Sequence, residues 1–308
     1  MQNKFIIKIL FLFFIFLKSE IDAFENKIVV KVDNEIITSV DILNEIDYLT
    51  FINKDLKKFE KEKIYEISKN SLIREKVKKI EVIKNFNEMK VDEQYLDAAI
   101  ENYISKLNIS SIESFINQIN KYDLDIKDIK QRFTIELLWN QLIYKKYSNS
   151  VKVDKELIKK EFQQTNKQKE FLLSEIVFNI KDSENIQDKY KLIANTINEQ
   201  DFNRAAAIHS ISNSANSGGL LGWIKQSSID PKINNELKNI SINQFTKPII
   251  VPGGFLILKI NNIRETEKKN NLEKEIELIF EDKINQQLNQ FSNIYFNKIL
   301  KSIAINEL

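Results

Sequence analysis

Cysteine is absent from the 308 residues, and histidine occurs once, at His209. That excludes thiolate nucleophiles, cysteine-ligated zinc, thiol redox chemistry and every mechanism that needs two histidines. Arginine is almost as scarce, at Arg74, Arg132, Arg204 and Arg264, and 44 acidic residues nearly cancel the 46 basic ones to a net charge of +2. Nucleic acid is not expected as a partner, because it calls for a basic stripe with guanidinium forks. No glycine-rich loop leads into Lys-Ser or Lys-Thr, so there is no phosphate cradle, and any work is expected to run without nucleotide. Acidic residues are scattered among lysines, as at Glu81 between Lys79 and Lys84, which marks a solvated face and not a metal site. No cofactor and no metal is expected.

Glycine and proline are confined rather than missing. All five glycines and all three prolines fall between Gly218 and Gly254, so turn chemistry is concentrated in one region and the rest is free to be helical. What is present is an ordinary globular balance, 43% apolar and 29% charged, with length for about two domains. At the start, Lys4 and Lys8 precede an unbroken apolar run, Ile9 to Leu17, and Ala23 is a small residue at a plausible cleavage point. The run is shorter than the ~20 residues of a spanning helix. Residues 1–23 therefore read as a secretory signal peptide, with a retained membrane anchor as the alternative.

The mature chain divides into a helical segment, 24–168, a turn-rich module, 169–264, and a last segment, 265–308. Lys27 to Val32 and Ile36 to Thr38 flank Asp33-Asn34-Glu35 as a small hairpin, after which Ser39 is expected to cap a helix. Ile73, Val77, Ile80 and Ile83 form a one-sided stripe, as do Leu96, Ala99, Ile100, Tyr103 and Leu107 after a capping Asp92. Ser110 with Glu113, and Asp125 with Asp128, have capping-box spacing, and Ile126, Ile129, Phe133 and Leu137 line the helix that follows. From Leu272 through Ile276, Phe280, Ile284, Leu288, Phe291 and Tyr295 to Ile299, apolar residues step by 4 or 3 without Gly or Pro. One long helix is predicted, packed on the N-terminal array as its only large partner.

In the middle, Phe171 to Ile180 is strand-like, Gln187 to Asn198 helix-like, and Asp201-Phe202 opens a second helix. Pro248 to Val251 and Phe255 to Ile260 form a tight hairpin around Pro252-Gly253-Gly254. The fold class is α+β, a helical frame carrying an inserted mixed module. Phe202 with Ala205-Ala206-Ala207, Ser210, the Gly218-Gly219-x-x-Gly222-Trp223 turn and Gly254-Phe255-x-Ile257-Leu258-Lys259 resemble, in order and spacing, a parvulin-type peptidyl-prolyl isomerase domain. Val29 to Ile46 resembles the N-terminal region of SurA-type periplasmic chaperones, and Tyr295 to Leu300 their closing segment.

The resemblance implies two histidines facing one another across the sheet, a Cys or Asp beside them and an apolar pocket for a proline ring. Here Glu175 stands at the first histidine, Ser212 at the Cys or Asp, and Leu256 at the second histidine. Leucine has no donor or acceptor, so that network is not available and strong isomerase activity is not expected. Ile229 and Ile233 stand where the family's pocket carries Met and Phe; a peptide pocket and plain core packing both remain open for them. Glu175 shares a face with Leu173 and Val177, either as an acid in an apolar setting or, as expected, as a solvated rim residue. His209 is expected to be structural despite Ser210 beside it, and Trp139 and Trp223 to be packing residues. The resemblance implies a nucleotide-independent periplasmic chaperone for unfolded outer-membrane proteins or other exported polypeptides, acting as a monomer. An active isomerase on exported proteins, and an adaptor without clients, are the other readings.

Overall fold

The computed structural model describes residues 26–163, 167–180, 184–267 and 272–308, so the expected signal peptide, residues 1–23, lies outside the described residues. Among the described residues no helix is long and apolar enough to cross a membrane.

Strands β1 (Ile28–Val32) and β2 (Glu35–Thr38) form the expected antiparallel hairpin. Its turn holds Asp33 at φ 51°, a left-handed position that Asp tolerates because its short side chain can bond locally. Thr38, not Ser39, caps α1 (Ser39–Ile52): its hydroxyl accepts from the Asp41 N–H, and the Asp41 carboxylate accepts from the Thr38 N–H. The expected cap is one residue late because only Thr38 has the extended backbone that turns its oxygen onto the first helical turn.

Helices α2 (Lys61–Asn85), α3 (Glu93–Lys106), α4 (Ile112–Ile119), α5 (Ile126–Tyr147) and α6 (Lys155–Gln163) follow. Asp92 and Asp125 cap α3 and α5 as read, whereas Ser111, and not Ser110, caps α4 by accepting from the Ser114 N–H at 3.1 Å. One apolar stripe of this array, with Leu49, Ile100, Phe115 and Ile129, closes its own core.

The module is a four-stranded antiparallel sheet of β3 (Lys167–Phe178), β4 (Leu220–Lys225), β5 (Ile249–Val251) and β6 (Gly254–Glu267), ordered β4-β3-β6-β5. Between β3 and β4 (Leu220–Lys225) run α7 (Ile186–Glu199) and α8 (Phe202–His209), the latter capped by Asp201. Proline opens α9 (Pro231–Lys238), where a missing N–H costs nothing. Strands β5 (Ile249–Val251) and β6 (Gly254–Glu267) pair through Val251 and Gly254. Pro252 and the left-handed Gly253, φ 90°, fill the two corner positions that a type II turn requires. Period-two alternation sends Ile176, Phe178 and Ile257 to a face covered by Ile193, Phe202 and Ala206. Leu173, Val177, Leu256 and Leu258 go to the other face, with Ile229 and Leu237.

The last helix, α10 (Leu272–Leu300), follows the apolar stripe and ends one residue past Ile299. Its second half joins Val30, Ile37, Val77 and Trp139 through Phe296 and Ile299. Trp139 is fully buried, meets Phe296 edge-on at 6.2 Å, and Tyr147 stacks on Phe291 at 4.8 Å. Strand β7 (Ile305–Glu307) then pairs with β1, so the two ends of the chain share a sheet as well as a core. The first half of α10 packs Ile276 and Ile279 on Ile158 and Phe162 of α6, a partner that sequence periodicity does not reveal.

Candidate peptide-binding site

The site is built on the β3 and β6 pair. Glu175 lies opposite Leu258, and Val177 opposite Leu256, so Glu175 and Leu256 share a face on a diagonal. Leu256 is buried among Val177, Leu258 and Ile229, and Ile233 packs half-buried against the same cluster. The residues singled out in the sequence are thus brought together on one side of the sheet.

The polar part is a short segment crossing beside β3. Ser212 caps the turn Asn213–Ser217, and its hydroxyl donates to Glu175 Oε1 at 2.6 Å. The Ser214 hydroxyl donates to the same oxygen at 2.9 Å. Gly219 locks the segment to the strand: its N–H donates to the Ser214 carbonyl and its carbonyl accepts from the Glu175 N–H, each at 2.8 Å. It stands at φ 79°, and a Cβ there would run into the Glu175 carbonyl oxygen, so glycine is required both for conformation and for approach.

Glu175 is therefore not the solvated rim residue expected of it. Burial raises its carboxyl above the usual carboxylate range, against the opposing pull of the Ser212 and Ser214 hydroxyls. Strand alternation names the face of a side chain but not what lies over it, which is why the sequence misses this. It also misses Ser214, which stands in the tight helical turn Asn213–Ser217, where strand alternation gives no guide.

Chemically, the acid is occupied by two donors, and Leu256 supplies neither a donor nor an acceptor. No hydrogen-bond relay spans β3 and β6 through these two positions. The face can hold apolar side chains; it is not equipped to pass protons. His209 lies apart from it, with Nε2 3.0 Å from Thr196 Oγ1. Burial, with Lys189 and Lys63 nearby, lowers its pKa to about 4, so it is neutral at ordinary pH. The Ser210 hydroxyl accepts from the Val177 and Ser212 N–H groups, a structural duty unlike that of a nucleophile. Trp223 is more open than a packing residue, 37% exposed, with the Arg264 guanidinium 4.2 Å from its ring centre.

Comparison with known proteins agrees with this geometry. Residues 171–262 match the Rotamase family model, described as a PPIC-type PPIase domain. A Chaperone SurA from Pseudomonas syringae pv. syringae is 27% identical over 183 residues, 56% of this chain and 42% of that protein. One from Pseudomonas fluorescens is 36% identical over 69 residues, 22% of this chain and 16% of that protein. The chain thus matches less than half the length of these relatives. Among solved structures, one from Campylobacter jejuni, described with PEB4 and the periplasmic protein Cj1289 as SurA-like chaperones, is 20% identical. It covers 92% of this chain and 99% of its own, with a TM-score of 0.35. Residues 171–262 are therefore similar to PPIC-type PPIase domains, and 56% of the chain is similar to a SurA chaperone.

Proposed function

We propose that this chain is a nucleotide-independent chaperone that holds unfolded exported polypeptides, outer-membrane proteins foremost, in the periplasm. Residues 1–23 would serve as its export signal, 24–168 with 265–308 as its helical frame and 169–264 as its module. The observation that carries the reading is the character of the module's site face. Its buried cross-strand pairs, Val177 with Leu256 and Leu173 with Ile260, are apolar and its acid is engaged by Ser212 and Ser214, while the edge strands leave Leu220, Leu221 and Trp223 of β4 and Ile250 of β5 exposed for contact. Similarity to SurA chaperones supports the same conclusion.

The physical logic is weak and plural contact. An unfolded barrel strand alternates apolar and polar side chains, and an apolar shelf holds many such sequences because no single contact sets the register. Half-buried Ile233 would form the edge of that shelf, with the buried Ile229 beneath it. Isomerisation would be at most a minor activity, since lowering the ~20 kcal/mol amide barrier requires donors aimed at the twisted bond and Leu256 offers none. The test is fluorescence anisotropy of a labelled peptide copied from a porin strand. Saturable binding, weakened by Trp223→Asp, is expected; no binding at any attainable concentration contradicts the reading.

A further inference from the structure

The segment that approaches Glu175 from one side is gripped from the other by the helical frame. Asn213 Oδ1 accepts from Lys78 Nζ of α2 at 2.9 Å, and that ammonium also binds Glu136 of α5 at 2.6 Å. Arg74, one turn earlier on α2, donates to Asn216 Oδ1 at 3.2 Å and to the Ser210 carbonyl at 3.4 Å. Asn216 Nδ2 donates to the Ser71 hydroxyl at 3.4 Å. Lys78 is almost fully buried and lies 5.7 Å from the Trp139 ring centre, so leaving its ammonium unmatched is costly, while its partners Asn213 and Glu136 reach solvent. Within residues 210–217, Ser212 and Ser214 face the acid of the module while Asn213 and Asn216 face the frame.

We infer that Glu175 is a positioning residue for domain docking: by fixing Ser212 and Ser214 it shapes the turn whose opposite side is the surface that grips Arg74 and Lys78. The acid standing at the degenerate site thus acts on the joint between module and frame, not on a peptide bond. Both hydroxyls donate to a single oxygen, Oε1, so a glutamine carbonyl can take the same two bonds while alanine takes neither.

The test exploits the absence of cysteine. Cysteines placed at Glu101 on α3 and Lys238 on α9, both exposed, carry a fluorophore pair in the full chain, and energy transfer reports the docked fraction. Glu175→Ala is expected to raise the undocked to docked ratio roughly tenfold, as two lost hydrogen bonds would, and Glu175→Gln to leave it near native. Combining Glu175→Ala with Lys78→Ala should cost less than the sum of the two. The pair Ser212→Ala with Ser214→Ala, which leaves β3 untouched, should reproduce the Glu175→Ala effect and guards against a misfolded strand. Native docking in Glu175→Ala or in the double serine variant, glutamine behaving as alanine does, or strictly additive losses would overturn the inference.

Discussion

The Trp139 indole N–H donates to the Ser292 hydroxyl across 2.8 Å, joining α5 to α10 over 153 residues of sequence. The bond sits inside the cluster that holds β1, β2 and the C-terminal turn, so one tryptophan reports on whether the two ends of the chain are interlocked. Trp139→Phe keeps most of the ring and removes the donor, and is expected to cost about 1 kcal/mol. Trp139→Ala also leaves a void and is expected to cost about 3–5 kcal/mol. Urea denaturation followed by circular dichroism measures both; equal and negligible losses would mean that the ends do not share a core.

A second prediction concerns charge inside the helical frame. Glu45 is fully buried and ion-paired with Arg132, whose Nε lies 3.3 Å from Glu75 and whose guanidinium lies over Tyr48 at 4.6 Å. Arg132→Met preserves length and apolar stem but strands two carboxylates. The expected loss is about 3–5 kcal/mol at neutral pH, the cost of breaking a buried pair from one side. Replacing Glu45 and Glu75 by Gln in the same variant should recover much of it, as read from urea midpoints.

His209 gives a pH dependence with a definite sign. Its folded pKa of about 4 lies below the unfolded value of 6.5, so between those pH values the unfolded chain binds the extra proton. Stability therefore falls as pH drops from about 6.5 towards about 4, by an amount on the order of 1–3 kcal/mol. His209→Gln should flatten that part of the profile, and urea titrations at stepped pH check it. An unchanged slope in the variant would show that other groups carry the dependence.

Restoring the family's residue types tests the degenerate site. Histidines at 175 and 256 would stand on one face, but position 256 is enclosed by the apolar side chains of Val177, Leu258 and Ile229. Glu175→His with Leu256→His is expected to raise protease-coupled isomerisation of a proline tetrapeptide less than tenfold over a near-uncatalysed native rate, because supporting contacts decide such sites. A rise of several orders of magnitude would show that these two residues alone separate this module from an efficient isomerase.

Much of the frame is legible in the sequence because it obeys periodicity. The stripe from Leu272 to Ile299 states both the length of α10 and its need for a partner, and Asp92, Asp125 and Asp201 announce helix starts. Where two hydroxyl residues adjoin, at Thr38-Ser39 and Ser110-Ser111, composition alone does not choose between them, and backbone geometry does. The site is legible as a set of positions, since alternation puts Glu175 and Leu256 on one face. Its environment is not. Lys78 with Asn213 and Arg74 with Asn216 are polar contacts 135 and 142 residues apart, and such contacts leave no repeat in the chain.

The most direct measurement of the central claim is light scattering of a urea-unfolded outer-membrane porin diluted into nucleotide-free buffer with residues 24–308. The account predicts that scattering falls in proportion to added protein and is abolished near stoichiometric amounts. Scattering that is unchanged at molar excess, from a chain shown to be folded by circular dichroism, would contradict it.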